Sequence, residues 1–405
     1  MRTIAAGVLL SLIGTSVAAN ELAGPVLIIQ DDIPHAAPFL ADVDGDGKKD
    51  LLVGQYRDDP FTGARVRLFR NLGTAKVPKF DEGVFLQAGT VDVACDEFCH
   101  TGFGPQLIDF NGDGNLDLIT GSRDCQVFVF SGRGDGGFAT ASRLKYVTAR
   151  EHHRVFQYNA RLFAHDWDAD GNLDLITARN RSIWLFRNTG DTNVSEYAAP
   201  VELVSRGAEK IWIRVPVVAD WDNDNRDDLI VGRSDGSVVW HRNTTEAGAE
   251  PRLETAVVLV EAGHPGQATM DADGHYERPP APTQNIRLCV ADYNDDGRVD
   301  LLLGDSWFLH RQKSRRSVEE AQQRVIAYTA YNELRDQLEA LEEAAESESE
   351  AARAARAAEI AAKTIECAKA WRAAYSDGQR TSRHGSVWLF ERVATPQQAI
   401  QFRPR

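Results

Sequence analysis

After its first twenty residues the chain has no apolar run near the roughly 18–20 residues that a membrane-spanning helix requires. It has no nucleophile-elbow sequence, no histidines paired at metal spacing and no Gly-rich phosphate cradle. No catalytic constellation emerges, so the residues point away from an enzyme. Basic residues are the minority, 45 Lys and Arg against 60 Asp and Glu, for a formal charge of −15. A chain so poor in cations is not built to neutralise phosphates, which argues against a nucleic-acid partner. Cysteines are few and odd in number, five in all. At least one therefore stays outside any disulfide framework. Cys95, Cys99 and Cys125 flank one acidic stretch and suggest a local bridge, while Cys289 lies in an apolar run and reads as an inert buried thiol. The Cys95-x-x-x-Cys99-His100 spacing is one residue too wide for haem attachment.

The acidity that is present is organised. Asp42-Val-Asp44-Gly-Asp46-Gly47-Lys48-Lys-Asp50 returns four times, starting again at Asp109, Asp166, Asp220 and Asp292 after 67, 57, 54 and 72 residues. Carboxylate or amide oxygens fall at positions 1, 3, 5 and 9 every time. They are Asp42, Asp44, Asp46 and Asp50; Asp109, Asn111, Asp113 and Asp117; Asp166, Asp168, Asp170 and Asp174; Asp220, Asp222, Asp224 and Asp228; Asp292, Asn294, Asp296 and Asp300. Ca²⁺ takes six to eight oxygens, and this spacing folds four side chains around one point. Backbone carbonyls at position 7 (Lys48, Asn115, Asn172, Arg226, Arg298) would add a fifth ligand. Position 6 calls for a left-handed residue, which glycine supplies and Asn225 replaces at least cost. About five Ca²⁺ are expected, and they would reduce the net charge to about −5.

An EF-hand begins in the same way, but it needs a chelating Glu at position 12 between two helices. Position 12 here is Val53, Thr120, Thr177, Val231 and Leu303, inside short apolar runs that read as buried strands. The loops are therefore hairpin turns. Before each comes one strand, and after it two or three more, as in Val66-Arg-Leu-Phe and Ile183-Trp-Leu-Phe. Four strands at this period describe the blade of a β-propeller. Here the chain resembles the FG-GAP/VCBS-repeat family, which includes the integrin α-subunit head. The resemblance covers residues 20–310 and 381–405 and implies an all-β, calcium-binding propeller. Five loops imply five blades. Pro25-Val-Leu-Ile-Ile29 matches a fourth strand, and Gln398–Phe402 is expected beside it at the seam.

Residues 1–19 read as a signal peptide: a positive Arg2, an apolar core from Ile4 to Ile13, then Ser16-Val-Ala-Ala19. Export to a secreted, periplasmic or cell-surface location follows. Residues 311–380 interrupt the fifth blade. Ser317-Val-Glu-Glu320 is a capping box. Apolar residues then recur at three and four (Val325, Tyr328, Tyr331, Leu334, Leu338, Leu341, Ala345, and after a polar break Ala358, Ala361, Ile365, Ala368, Trp371, Tyr375). The spacing predicts an antiparallel helical hairpin whose arms are about 40 Å long. It is either a solvated decoration or an arm that docks a partner.

The blade ends opposite the loops collect Arg57, Arg123, Arg161, Arg179, Arg214, Arg233 and Arg287, with Tyr56, His100, Tyr158, Trp212 and Trp307 nearby. Arginine mixed with aromatics suits an anionic, ring-containing ligand such as an acidic glycan. The alternative is that Asp58, Asp124, Asp235 and Asp305 neutralise them in rim salt bridges. The expected function is an exported, non-catalytic binding module for a protein or a glycan. A polysaccharide lyase or a purely structural envelope protein are the competing readings.

Overall fold

The computed structural model describes residues 22–30, 33–56, 63–89, 91–95, 102–121, 127–144, 161–179, 181–190, 197–205, 211–246, 249–263, 266–271, 275–311, 318–346, 350–375 and 381–393. The expected leader, the capping Ser317 and the seam segment Gln398–Phe402 lie outside them.

The second strand of each blade explains why the sequence carries continuous apolar runs. Leu51, Leu52 and Val53 are all fully buried. Side chains alternate sides along a strand, so Leu52 enters the interface with blade 2 while Leu51 and Val53 enter that with blade 5. Leu301, Leu302 and Leu303 divide in the same way between blades 4 and 1. One apolar cluster fills each interface between successive blades, blade 5 against blade 1 included. Burying a Leu or Val of this kind contributes about 1.5–3 kcal/mol. The stability of the ring therefore resides between blades.

Blade 1 is built from Ala37–Ala41, Asp50–Gly54, Ala64–Phe69 and Val84–Phe85 in that order across the sheet. Blade 2 uses Gln106–Ile108, Asp117–Gly121, Val127–Phe130 and Ser142–Arg143. Blade 3 uses Arg161–His165, Asp174–Arg179, Ser182–Phe186 and Val201–Val204, and blade 4 uses Ile213–Ala219, Asp228–Arg233, Val238–His241 and Val257–Val260. In blade 5, Gln284–Ala291, Asp300–Arg311 and Val387–Arg392 come from late in the chain, but the fourth strand is Leu22–Ile29. It pairs antiparallel with the third, Val26 opposite Leu389 and Leu27 opposite Trp388. The N-terminal strand thus closes the ring, which removes an exposed edge. First strands of neighbouring blades touch one another and line the axis.

Blade 5 carries an extension that the sequence did not reveal. Its second strand runs for 12 residues, and its far half pairs with Thr381–His384 and, in parallel, with Gln267–Met270. From this extension springs the predicted hairpin, α1 (Val318–Glu346) against α2 (Glu350–Tyr375). Its seam is narrower than expected. Tyr331 and Leu338, one heptad apart, are buried with Cys367, Ala368 and Ala374. Val325, Tyr328 and Ile365, assigned to the seam from their spacing, are 65%, 47% and 52% exposed. Two helices have one line of contact between them, so residues to either side of the heptad line face water.

Candidate metal centres and the opposite rim

Each loop folds around its own carboxylates. The position-1 aspartate accepts backbone N–H bonds on both oxygens, as Asp42 does from Gly45 (2.8 Å), Asp46 (3.1 Å) and Gly47 (2.9 Å). The bonds from positions 5 and 6 recur at Asp109, Asp166, Asp220 and Asp292, and the one from position 4 at Asp109. They require left-handed backbone at position 6, as expected, and also at position 4, which the sequence reading missed. Position 4 is Gly45 and Gly112 in two loops, but Ala169 (φ 57°), Asn223 (56°) and Asp295 (54°) in the others. Only the glycines signal it.

Position 9 differs from the other three in being buried: Asp50, Asp117, Asp174, Asp228 and Asp300 are at most 2% exposed. One oxygen accepts from the N–H at position 2, and the other from an N–H at or just beyond the end of the third strand. In blade 4 these are Trp221 at 3.2 Å and Asn243 at 2.7 Å, and in blade 3 Trp167 at 3.0 Å and Asn188 at 2.7 Å. This carboxylate ties the loop to the sheet. Burial pushes Asp174 up to about 7 and Asp228 up to about 6, with the carboxylates at position 3 adding repulsion.

In four of the loops, carboxylates at position 3 or 5 pair with cations that the protein itself supplies. Lys48 pairs with Asp46 at 2.7 Å, Arg242 with Asp222 at 2.6 Å and Arg187 with Asp168 at 3.5 Å. Arg70 reaches Asp44, Arg226 reaches Asp224 and Arg298 reaches Asp296. Arg70, Arg187 and Arg242 each directly follow a third strand, so the Arg-Asn pairs at 70–71, 187–188 and 242–243 have a role in the loop.

The donor set fits a hard divalent ion. Among the described residues, three clusters bring carboxylate oxygens of positions 1, 3 and 9 within 4.8 Å of one another: Asp42, Asp44 and Asp50; Asp166, Asp168 and Asp174; Asp220, Asp222 and Asp228. Loops 2 and 5, with Asn111 and Asn294 at position 3, form no carboxylate triplet. Asp222 Oδ1 and Asn294 Oδ1 are buried without a hydrogen-bond partner. An orphaned buried oxygen is costly, and a cation coordinated at position 3 would satisfy both.

At the opposite ends of the blades the expected rim residues separate. Arg57, Arg123, Tyr158 and His100 lie outside the described residues, as do the side chains of Arg161 and Arg179. Trp212 is 49% exposed beside the first strand of blade 4, and Arg233 ends that blade's second strand. Trp307, expected on the rim, is instead 1% exposed, stacked on His384 with ring centroids 4.5 Å apart and packed with Ala268 and Leu309. Lying on the long second-strand extension, it is covered by that extension's pairing partners. Arg214 and Arg287 do come together, around a cavity of about 300 Å³ with Tyr56, Asn285, Phe308, His35 and Arg383. Arg383 was missed because it follows the helical insertion, and only the register Phe308 opposite Arg383 brings it to the rim. The proposed neutralisers are engaged elsewhere. Asp305 accepts from Ser386 N (2.8 Å) and Thr283 N (3.0 Å), and Asp235 from Ser237. Asp58 and Asp124 lie outside the described residues.

Residues 166–231, from the third loop through the second strand of blade 4, match the family model of the FG-GAP-like repeat. No curated protein matches the chain. Among solved structures, the Photorhabdus luminescens Tc holotoxin pore aligns at 17% identity and TM-score 0.35, over 71% of this chain and 14% of that one. An Agrocybe aegerita lectin described as recognising non-reducing terminal N-acetylglucosamine aligns at 17% identity and TM-score 0.36, over 68% and 63%. The V. cholerae biofilm matrix protein Bap1 aligns at 14% identity and TM-score 0.26, over 72% and 36%. The chain spans less than two thirds of the length of each.

Proposed function

We propose that this chain is an exported, calcium-carrying propeller that serves as a non-catalytic binding module for a protein or glycan. The observation that carries the metal half is the pair of orphaned oxygens at position 3, Asp222 Oδ1 and Asn294 Oδ1, within loops that already gather three or four oxygen ligands. Ca²⁺ suits that all-oxygen set, and the millimolar Ca²⁺ outside the cytosol suits weak modular sites. The module half rests on the ring itself. Its loops are given over to metal and fold, which leaves the opposite rim and the helical arm for recognition.

Each ion held at a hundred times its dissociation constant stabilises the folded state by about 2.7 kcal/mol. Chelation with EDTA should therefore lower the thermal midpoint by several degrees at least, and added Ca²⁺ should restore it. An unchanged midpoint would remove the metal from the account.

The arm is separable on the same reading. His310 pairs with Thr381 in antiparallel register, so the two ends of the insertion lie one rung, about 5 Å, apart. Replacing residues 311–380 by a two-residue Asn-Gly turn should leave the propeller folded with its calcium-dependent melt intact. Val325, Ile326 and Ile365 remain more than half exposed on the arm, a surface that invites a partner. Pull-down of that partner should fail for the deleted protein. A deletion that unfolds the ring would show that the hairpin belongs to the propeller core.

A further inference from the structure

The cavity on the rim opposite the loops is assembled by three consecutive blades. Arg214 comes from the first strand of blade 4, Asn285 and Arg287 from that of blade 5, and Tyr56 from the end of blade 1's second strand. Phe308 and Arg383 complete it from the extension of blade 5. Three guanidinium groups thus face a space of about 300 Å³, and no carboxylate is among the described residues that line it. Arginines gathered this closely repel one another, and where they serve only to stabilise a fold they are normally accompanied by acids.

Two features show how Arg214 and Arg383 are held. Arg383 lies over the rings of Tyr56 and Phe308, 4.7 and 5.4 Å from their centroids. Stacking of this kind fixes a guanidinium through its face and leaves its N–H edge available. Arg383 Nε and Arg214 Nε are both buried without a hydrogen-bond partner. Burial, with no opposing charge, holds the Arg214 guanidinium below its ordinary pKa. The backbone contributes as well. The first strands of blades 4 and 5 each break register at this level, between Ile213 and Val215 and between Gln284 and Arg287. Such bulges re-aim side chains at the rims of sheets. Tyr56 N donates to Pro34 O at 2.7 Å and Asn285 N to Ser234 O at 3.1 Å, so the walls are tied together before any ligand arrives.

We propose that this cavity is the ligand site of the module and that it takes an oxyanion, carboxylate or sulfate, carried on a single sugar ring. The guanidinium forks match the two oxygens of such a group. The volume exceeds what a bare ion fills and is at the small end of ligand pockets, suited to one ring. The inference rests on the reading of the chain as a binding module and names where that module binds.

Titration calorimetry of the calcium-loaded full chain with galacturonate, galactose 6-sulfate, galactose and inorganic sulfate tests it. At least one of the two charged sugars should bind and galactose should not, and the stronger of the charged pair identifies the oxyanion. Arg214→Gln and Arg383→Gln should each weaken that binding at least tenfold. Phe308→Leu, which removes a stacking face and no charge, should weaken it less, with melting midpoints checked for every variant. Inorganic sulfate binding as tightly as the sugars would overturn the sugar assignment. Binding that survives both arginine substitutions, or no binding by either charged sugar, would overturn the site. In that last case a protein or glycan recovered in a surface-partner screen, and retained by both arginine variants, would leave the module reading standing. Recovery of nothing would end both.

Discussion

Replacing Asp228 by alanine should destabilise the protein by about 3–5 kcal/mol even in EDTA, with a further loss in calcium because a ligand is gone. Its side chain is completely buried, and its two oxygens accept from Trp221 N and Asn243 N. Alanine leaves both donors buried without acceptors, at about 1–3 kcal/mol each, and opens a gap beside Trp221, itself only 1% exposed. Asp222 is the contrasting case. It is partly exposed, is paired with Arg242 and has one oxygen idle, so Asp222→Ala should cost little in EDTA and most in calcium. Urea unfolding of both variants, with and without the ion, separates the two roles. If Asp228→Ala loses stability only when calcium is present, position 9 is a ligand and nothing more.

That division of labour explains what the sequence could and could not show. Oxygens at 1, 3, 5 and 9 are equivalent on paper, because a nine-residue spacing says which side chains converge and not which are already hydrogen-bonded. The blades themselves were legible, since the loop and the Leu-Leu-Val type of run recur together. So was the closing strand, because Pro25–Ile29 has the pattern of a fourth strand with no first three before it. Rim chemistry was legible only in part. Arg214 and Arg287 could be placed by counting from a loop, whereas Arg383 lies beyond a long insertion where no count applies. Trp307 shows the opposite error. An aromatic at a strand end suggests a surface until the strand proves longer and is flanked by pairing partners, here Thr381–His384 and Gln267–Met270.

The residue that follows each buried run reports how the blades are spaced, and Gly304→Ala should be among the most disruptive single-methyl changes in the ring. A Cβ there would lie 2.0 Å from Ala36 O and 2.8 Å from Pro38 Cδ, at the mouth of the blade that closes on it. Gly54 stands in the same relation to Phe103 O, also at 2.0 Å, and Gly232 to Ile286 O at 2.8 Å. The obstacle is backbone, so no rotamer change relieves it. Blade 5 would have to draw back from blade 1, opening the cluster that holds Ile33, Ala36 and Leu302 at zero exposure. Close-packed interiors resist such shifts, and a loss of at least about 3 kcal/mol is expected. Gly45→Ala is the control: its φ is +75°, but nothing lies within 4 Å of the added carbon, so it should cost only the left-handed penalty of about 1–2 kcal/mol. Blade 3 already carries Ala178 at the corresponding position; its neighbour stands far enough off for a methyl group, and Ala178→Gly should change stability by less than about 1 kcal/mol through backbone entropy. Urea midpoints of the three variants, measured with calcium present, give the order directly. If Gly304→Ala unfolds no more easily than Gly45→Ala, the spacing between blades is set by something other than backbone contact at these glycines.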